Sequence, residues 1–211
     1  EEAIFAQAVC AAKAGVVTDP LVFAPPGRAR PRHPHYRGAM AEEVESWDKT
    51  LEEWMLAESY CCAAGMAQKA DGAMYAAAPM ADDAGWGLIF KEGDYEGEIP
   101  QEDDTMKKIT VNEVTCLYEV GQMADMSQRP ANGFWLAGKK YQLTSCREEE
   151  IGEHKVTLTM GAHKDSKTAI VIATTTTQII VAMTDEEKGQ KPGNATKAIL
   201  AFAEYLLGMG Y

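Results

Sequence analysis

Four histidines, five cysteines and a run of threonines are the side chains of this 211-residue chain that could carry metal or covalent chemistry. The cysteines are Cys10, Cys61, Cys62, Cys116 and Cys146, none in a Cys-x-x-Cys spacing. Neighbouring side chains on a strand point to opposite faces, so Cys61 and Cys62 are poorly placed to pair with each other. An odd count with adjacent thiols reads as reduced cysteine in a cytosolic protein. His33 and His35 fall in an irregular stretch, and His154 and His163 flank a strand-like run with no acidic or cysteine partner at ligand spacing. Thr174 to Thr177 follow from β-propensity at a strand turn. No G-x-G-x-x-G, phosphate-binding or H-E-x-x-H motif occurs. These residues support no enzyme, no cofactor and no metal site.

What remains is aromatic. The chain ends in AFAEYLLGMGY, and an early segment reads ESWDKTLEEW. If the helices built from these two segments pack side by side, Trp47, Tyr205 and Tyr211 converge on one surface groove, with Tyr75 joining from a strand. Such a groove suits a polyproline II ligand, which is already stiff and loses little entropy on docking. Indole and phenol groups can bond its exposed carbonyls. Spacing alone leaves it open whether Trp47 and Tyr211 serve a ligand or finish the core; Trp54 and Phe202 are read as core.

Charge narrows the partners. The net charge is −12, yet residues 1–39 are net basic (Lys13, Arg28, Arg30, Arg32 and Arg37 against Glu1, Glu2 and Asp19), so the acidic excess lies from Met40 onward. A body this acidic is repelled by nucleic-acid phosphate and by anionic lipid. The segment FAPPGRARPRHPHYRG reads as extended linker, and residues 1–39 are expected to be a leader or extension without a fold, Met40 preceding the regular chain.

The elements that would position the aromatics follow from periodicity. Ser46 is a fitting N-cap, and Trp47, Leu51, Trp54 and Met55 repeat with helical spacing. YCCAAGMAQ and AMYAAAP, joined through Asp71-Gly72, read as a hairpin. DDAGWGLIF is a short helix, 93–113 an exposed hairpin arm, and 112–125 a helix opened by Asn112. Five strands follow (GFWLAG, KKYQLTSC, HKVTLTMGA, KTAIVIAT and TQIIVAMT), close enough to allow hairpin connections alone. The acidic runs 148–150 and 185–187 read as solvated loops. A last helix starts near Gly193-Asn194, with Ile199, Phe202, Ala203, Leu206 and Leu207 on one face. The class is α+β.

Five segments, SWDKTLEEW, ESYCCAAGMAQKADGAMYAAA, PANGFWLAGKKYQL, TDEEKGQKPGN and LAFAEYLLGMGY, make residues 46–211 resemble profilin, in particular its apicomplexan type. The resemblance implies a domain over 40–211 with a central antiparallel sheet, the N- and C-terminal helices together on one face and further short helices on the other. It implies a monomeric cytoplasmic, cytoskeleton-associated protein that binds actin monomers and proline-rich segments of partners such as formins. The alternative is a profilin-like peptide adaptor with little actin affinity. The polyproline residues carried over are Trp47, Tyr75, Tyr205, Leu206 and Tyr211. Thr50 stands where many relatives have a second aromatic, which implies weak proline binding. Actin contact falls on Lys164, Lys191, Thr196 and Lys197, with the arm 93–113 nearby; Asp82-Asp83 corresponds to a short acidic loop. Ala137 replaces the first glycine of a usual pair, Lys167-Thr168 replaces glycines, and the tip ATTTTQ leaves a hairpin register open. The acidic charge argues against phosphoinositide binding.

Overall fold

Ser46 starts the first helix: its backbone is extended, and its Oγ accepts the Lys49 amide at 3.3 Å. The computed structural model describes residues 46–79, 82–101 and 105–211. The leader expected over 1–39 lies outside the described residues. Helix α1 (Trp47–Leu51) runs directly into a π-helical turn, Glu52–Leu56.

The strands β1 (Ala63–Gln68), β2 (Met74–Ala78), β5 (Phe134–Leu136), β6 (Lys139–Ile151), β7 (His154–His163), β8 (Thr168–Thr174) and β9 (Gln178–Asp185) form one sheet. Its order is β2-β1-β9-β8-β7-β6-β5, every pairing antiparallel. Strands β3 (Asp94–Pro100) and β4 (Met106–Asn112) pair only with each other, as a separate hairpin. Helices α2 (Asp82–Ile89), α3 (Glu113–Gly121) and α4 (Pro192–Gly208) complete the chain. Among the described residues no helix is long and apolar enough to cross a membrane.

Both sheet faces are covered. On one, Leu51 and Met55 from the first helix and Ile199, Phe202 and Leu206 from α4 pack against Met66, Leu158 and Val171. On the other, Ile89 of α2 and Leu117 and Val120 of α3 pack against Ile172, Ile179 and Val181. Alternating side chains of β8 and β9 feed the two cores in turn. The adjacent thiols divide likewise: Cys61 lies in the first core, while Cys62 packs against the second. Both are free, and burial pushes the Cys61 thiol up to about 12.

Several local expectations are corrected. Trp54, read as core, is 41% exposed. A π turn takes more residues than an α turn, so it delays the rotation that would have carried Trp54 inward, while Met55 stays buried. Glu148–Glu150, read as a loop, belong to β6, where they pair with Thr157, Val156 and Lys155. Asp82 and Asp83, which the resemblance matched to an acidic loop, open α2, the short helix expected for DDAGWGLIF. The α3 helix starts at the expected Asn112 cap but stops at Gly121, where a Cβ would strike Ile179 at 2.5 Å. The ATTTTQ register is set without glycine: Thr175 Oγ1 accepts the Thr177 and Gln178 amides, and Thr174 pairs with Ile179.

Glu113 locks the second face. It is 1% exposed, and its carboxylate accepts the Lys91 amide (2.7 Å), the Tyr95 hydroxyl (2.7 Å), the Ala137 amide (2.9 Å) and the Gly138 amide (2.7 Å). One side chain thereby ties the end of α2, the hairpin β3–β4 and the β5–β6 turn to the start of α3. Ala137 sits at φ 50°, a conformation that favours glycine, and the carboxylate holds its amide there. Gly97 completes the contact, since a Cβ there would meet Trp135 at 2.9 Å. Glu113→Ala would strand several buried donors at about 1–3 kcal/mol each. The expected outcome is a loss of at least about 3 kcal/mol in urea unfolding, with Glu113→Gln intermediate; an unchanged midpoint in Glu113→Ala would remove the carboxylate from this role.

Candidate functional site

The aromatic face is assembled from α1 and α4, with Tyr75 added from β2. Trp47 opens α1, Tyr205 lies in the last turns of α4, and Tyr211 follows its end. Beyond α4 the chain folds back: the Met209 and Tyr211 amides both donate to the Leu206 carbonyl at 3.0 Å, and Gly210 takes φ 87°. This return brings the Tyr211 ring edge-on to Trp47, with centroids 5.6 Å apart. Asp48 anchors the other side, because the Ala77 amide of edge strand β2 donates to its Oδ1 at 2.7 Å.

Tyr75 reaches this face through a bulge. Met66 pairs with Ala76 and Ala67 with Met74, so Tyr75 is the extra residue of β2. The inserted residue breaks the alternation of faces and re-aims the ring. Met74 therefore packs on the core under α2 and α3, while Tyr75 packs against the core under α1 and α4. Its hydroxyl donates to Gln178 Oε1 at 2.8 Å.

A second ring pair lies further along the same two helices. Trp54 stacks on Tyr205 with centroids 4.9 Å apart and planes inclined by 25°. Phe202, fully buried, lies 5.8 Å from Trp54. Thr50, between the two tryptophans, is buried and donates to the Ser46 carbonyl. Leu206 is also fully buried, so its side chain offers no surface.

The basic group divides differently. Lys164 and Lys191 line one depression of about 480 Å³, together with His163, Lys167, Gln190 and Pro192. Lys197 is exposed on the second turn of α4, outside that lining. Thr196 is half-buried, and its hydroxyl donates to the Pro192 carbonyl at 2.8 Å. Lys167 adopts φ 49° and reaches Glu187 at 3.5 Å. Among the described residues no group of three or more His, Cys, Asp or Glu could hold a metal ion.

Sequence reasoning missed Trp54, Asp48 and Gln178 as parts of the aromatic face. Asp48 stands in the first turn of α1, where an acid is favoured, and its strand partner Ala77 lies 29 residues away. Nothing in the local pattern marks a π turn, so the Trp54 assignment had no signal to correct it.

Residues 45–211 match the family model described as Profilin. The profilin of Plasmodium falciparum is 32% identical over 176 residues, which cover 79% of this chain and 97% of that protein. The profilin of Plasmodium berghei is 30% identical over 174 residues, covering 78% and 95%. Among solved structures, the profilin of Schizosaccharomyces pombe aligns over 79% of this chain and 100% of its own, with a TM-score of 0.51 and 20% identity. That last likeness speaks to the fold.

Burial leaves a mark on the phenols of the two faces. Desolvation, and secondarily the neighbouring Tyr211, hold the Tyr75 hydroxyl well above the usual phenol range. Burial, then Glu113, does the same for Tyr95. A phenol whose folded pKa is raised contributes stability that is complete below its unfolded value, about 10, and declines above it. Stability should therefore fall as pH rises beyond about 10. Tyr75→Phe should flatten that decline in urea titrations at successive pH values; an identical slope would show that Tyr75 ionises freely in the folded state.

Proposed function

We propose a function from one premise: this chain belongs to the profilin family, in its apicomplexan type. Profilins are generally actin-binding and act without catalysis. We infer that the chain binds monomeric actin at the start of α4 and the neighbouring strand ends, and proline-rich segments at the face shared by α1 and α4. The finer assignments are Lys164, Lys191, Thr196 and Lys197 for actin, and Trp47, Tyr75, Tyr205 and Tyr211 for proline. Formin-like proteins are the expected proline-rich partners, and a monomer in the cytoplasm is the expected form.

The observation that carries the proline half is the edge-on pair of Trp47 and Tyr211 at 5.6 Å, with both rings half-buried. Half-buried, pre-set rings can stack on a stiff ligand without further ordering. For the actin half, the support is family membership together with lysines on an otherwise acidic domain, which suits an acidic partner surface. The α4 helix has 17 residues, so its two ends lie about 25 Å apart. Two ligands can be held at once, and tethering actin to a proline-rich polymerisation factor raises its local concentration there.

The test is a pair of substitutions. Lys197→Glu is expected to weaken actin binding several-fold, read as reduced sequestration in a pyrene-actin assembly assay, with proline-peptide affinity unchanged. Trp47→Ala is expected to do the reverse, at a cost of about 1–3 kcal/mol in peptide binding. Equal loss of both ligands in a folded variant would refute separate sites. No effect of the wild-type protein on actin assembly would favour the adaptor alternative.

A further inference from the structure

We propose that Trp54, stacked on Tyr205, is a second proline subsite, so that this protein reads basic proline-rich segments spanning two ring pairs. The inference rests on the proline-binding reading above and deepens it. Thr50, where many relatives have a second aromatic ring, is buried and offers none. Trp54 supplies that ring from one turn further along. One indole face is covered by Tyr205, yet 41% of the residue remains open to solvent. Its flat face suits a pyrrolidine ring.

Geometry fixes the register of the ligand. Trp47 and Trp54 are seven residues apart, about 10 Å along a helix. Polyproline II rises about 3.1 Å per residue with three residues per turn, so one turn covers about 9 Å. Prolines at i and i+3 lie on one side of the ligand and match the two ring pairs in pitch. A ligand that fills both subsites needs at least about four residues, about 9 Å from the first proline to the fourth. A proline trimer spans about 6 Å and reaches one ring pair alone.

Charge selects the flanks. Around the ring pairs, residues 47–60 and 198–211 carry Asp48, Glu52, Glu53, Glu58 and Glu204 against a single base, Lys49. Glu53 and Glu204, each immediately before a ring of the second pair, are exposed. An arginine or lysine beside the prolines meets this acidic border, whereas an acidic flank is repelled.

The experiment is calorimetric titration of the full chain with proline trimer and decamer, and with decamers ended by two arginines or two glutamates. In wild type the decamer binds more tightly than the trimer, and the arginine-ended decamer exceeds the glutamate-ended one by at least about fivefold at low salt, a gap that closes at high salt. Trp54→Leu lowers decamer affinity about tenfold and leaves the trimer within about twofold, while Trp54→Phe retains most of the decamer affinity. Equal affinity for trimer and decamer in wild type, or an unchanged decamer in Trp54→Leu, overturns the second subsite. Equal binding of the two charged decamers overturns the basic preference. These wild-type comparisons stand even where a Trp54 variant folds poorly. Wild type binding no proline peptide at all would remove the underlying reading, an outcome distinct from the other three.

Discussion

The architecture depends on a sheet that must be covered on both faces. Antiparallel sheets commonly leave one face to water and alternate apolar with polar residues. Here β9 is buried along nearly its whole length, and β8 almost as fully. Ile180 and Ala182 look towards α1 and α4, while Ile179 and Val181 look towards α2 and α3. Without helices on both sides, one of these rows would face solvent. The alanines of β1 and β2 keep the covered surface low, so the helices can settle close to the backbone.

From that constraint the aromatic face follows as a by-product of helix packing. Leu51 and Met55 must reach the same core as Phe202 and Leu206, which sets the two terminal helices side by side. The residues that border the seam are then placed without further choice: Trp47 and Tyr211 at one end, Trp54 and Tyr205 further along. Two local irregularities tune the result. The bulge at Tyr75 turns a phenol towards the seam that regular alternation would have sent away, and the π turn at Glu52–Leu56 leaves an indole outside. Both departures from regular geometry fall beside the proposed site, where bulges and π turns are often found in proteins.

The opposite face adds a polar anchor to its apolar core. A single buried carboxylate, Glu113, gathers three backbone amides and one hydroxyl from segments distant in sequence. Buried polar groups are tolerable when their partners are complete, and a carboxylate with four donors meets that condition. The same anchor accounts for Ala137, whose positive φ would otherwise be an unexplained strain. Its reach from α2 to the β5–β6 turn also explains how a hairpin outside the main sheet is held at its base.

Much of this was written in local pattern. Helical spacing, the Ser46 and Asn112 caps, the Asp71-Gly72 turn and the short strand connections determined the elements, their type and the α+β class, because those signals act between residues close in the chain. The family-specific segments added the covering of both faces and the meeting of the two ends. The sequence by itself did not determine which bordering residues face solvent. Trp54, which its spacing placed in the core, lies outside, since a small change in helical phase outweighs a periodic pattern. Leu206, which the resemblance carried over to the proline site, is buried as its spacing implied. Nor could it show that Glu113 is a hub, because its four donors lie 18 to 25 residues away and meet only when the chain has folded. Elements were decided by neighbours in sequence; exposure and polar partnership were decided by neighbours in space, which only tertiary packing supplies.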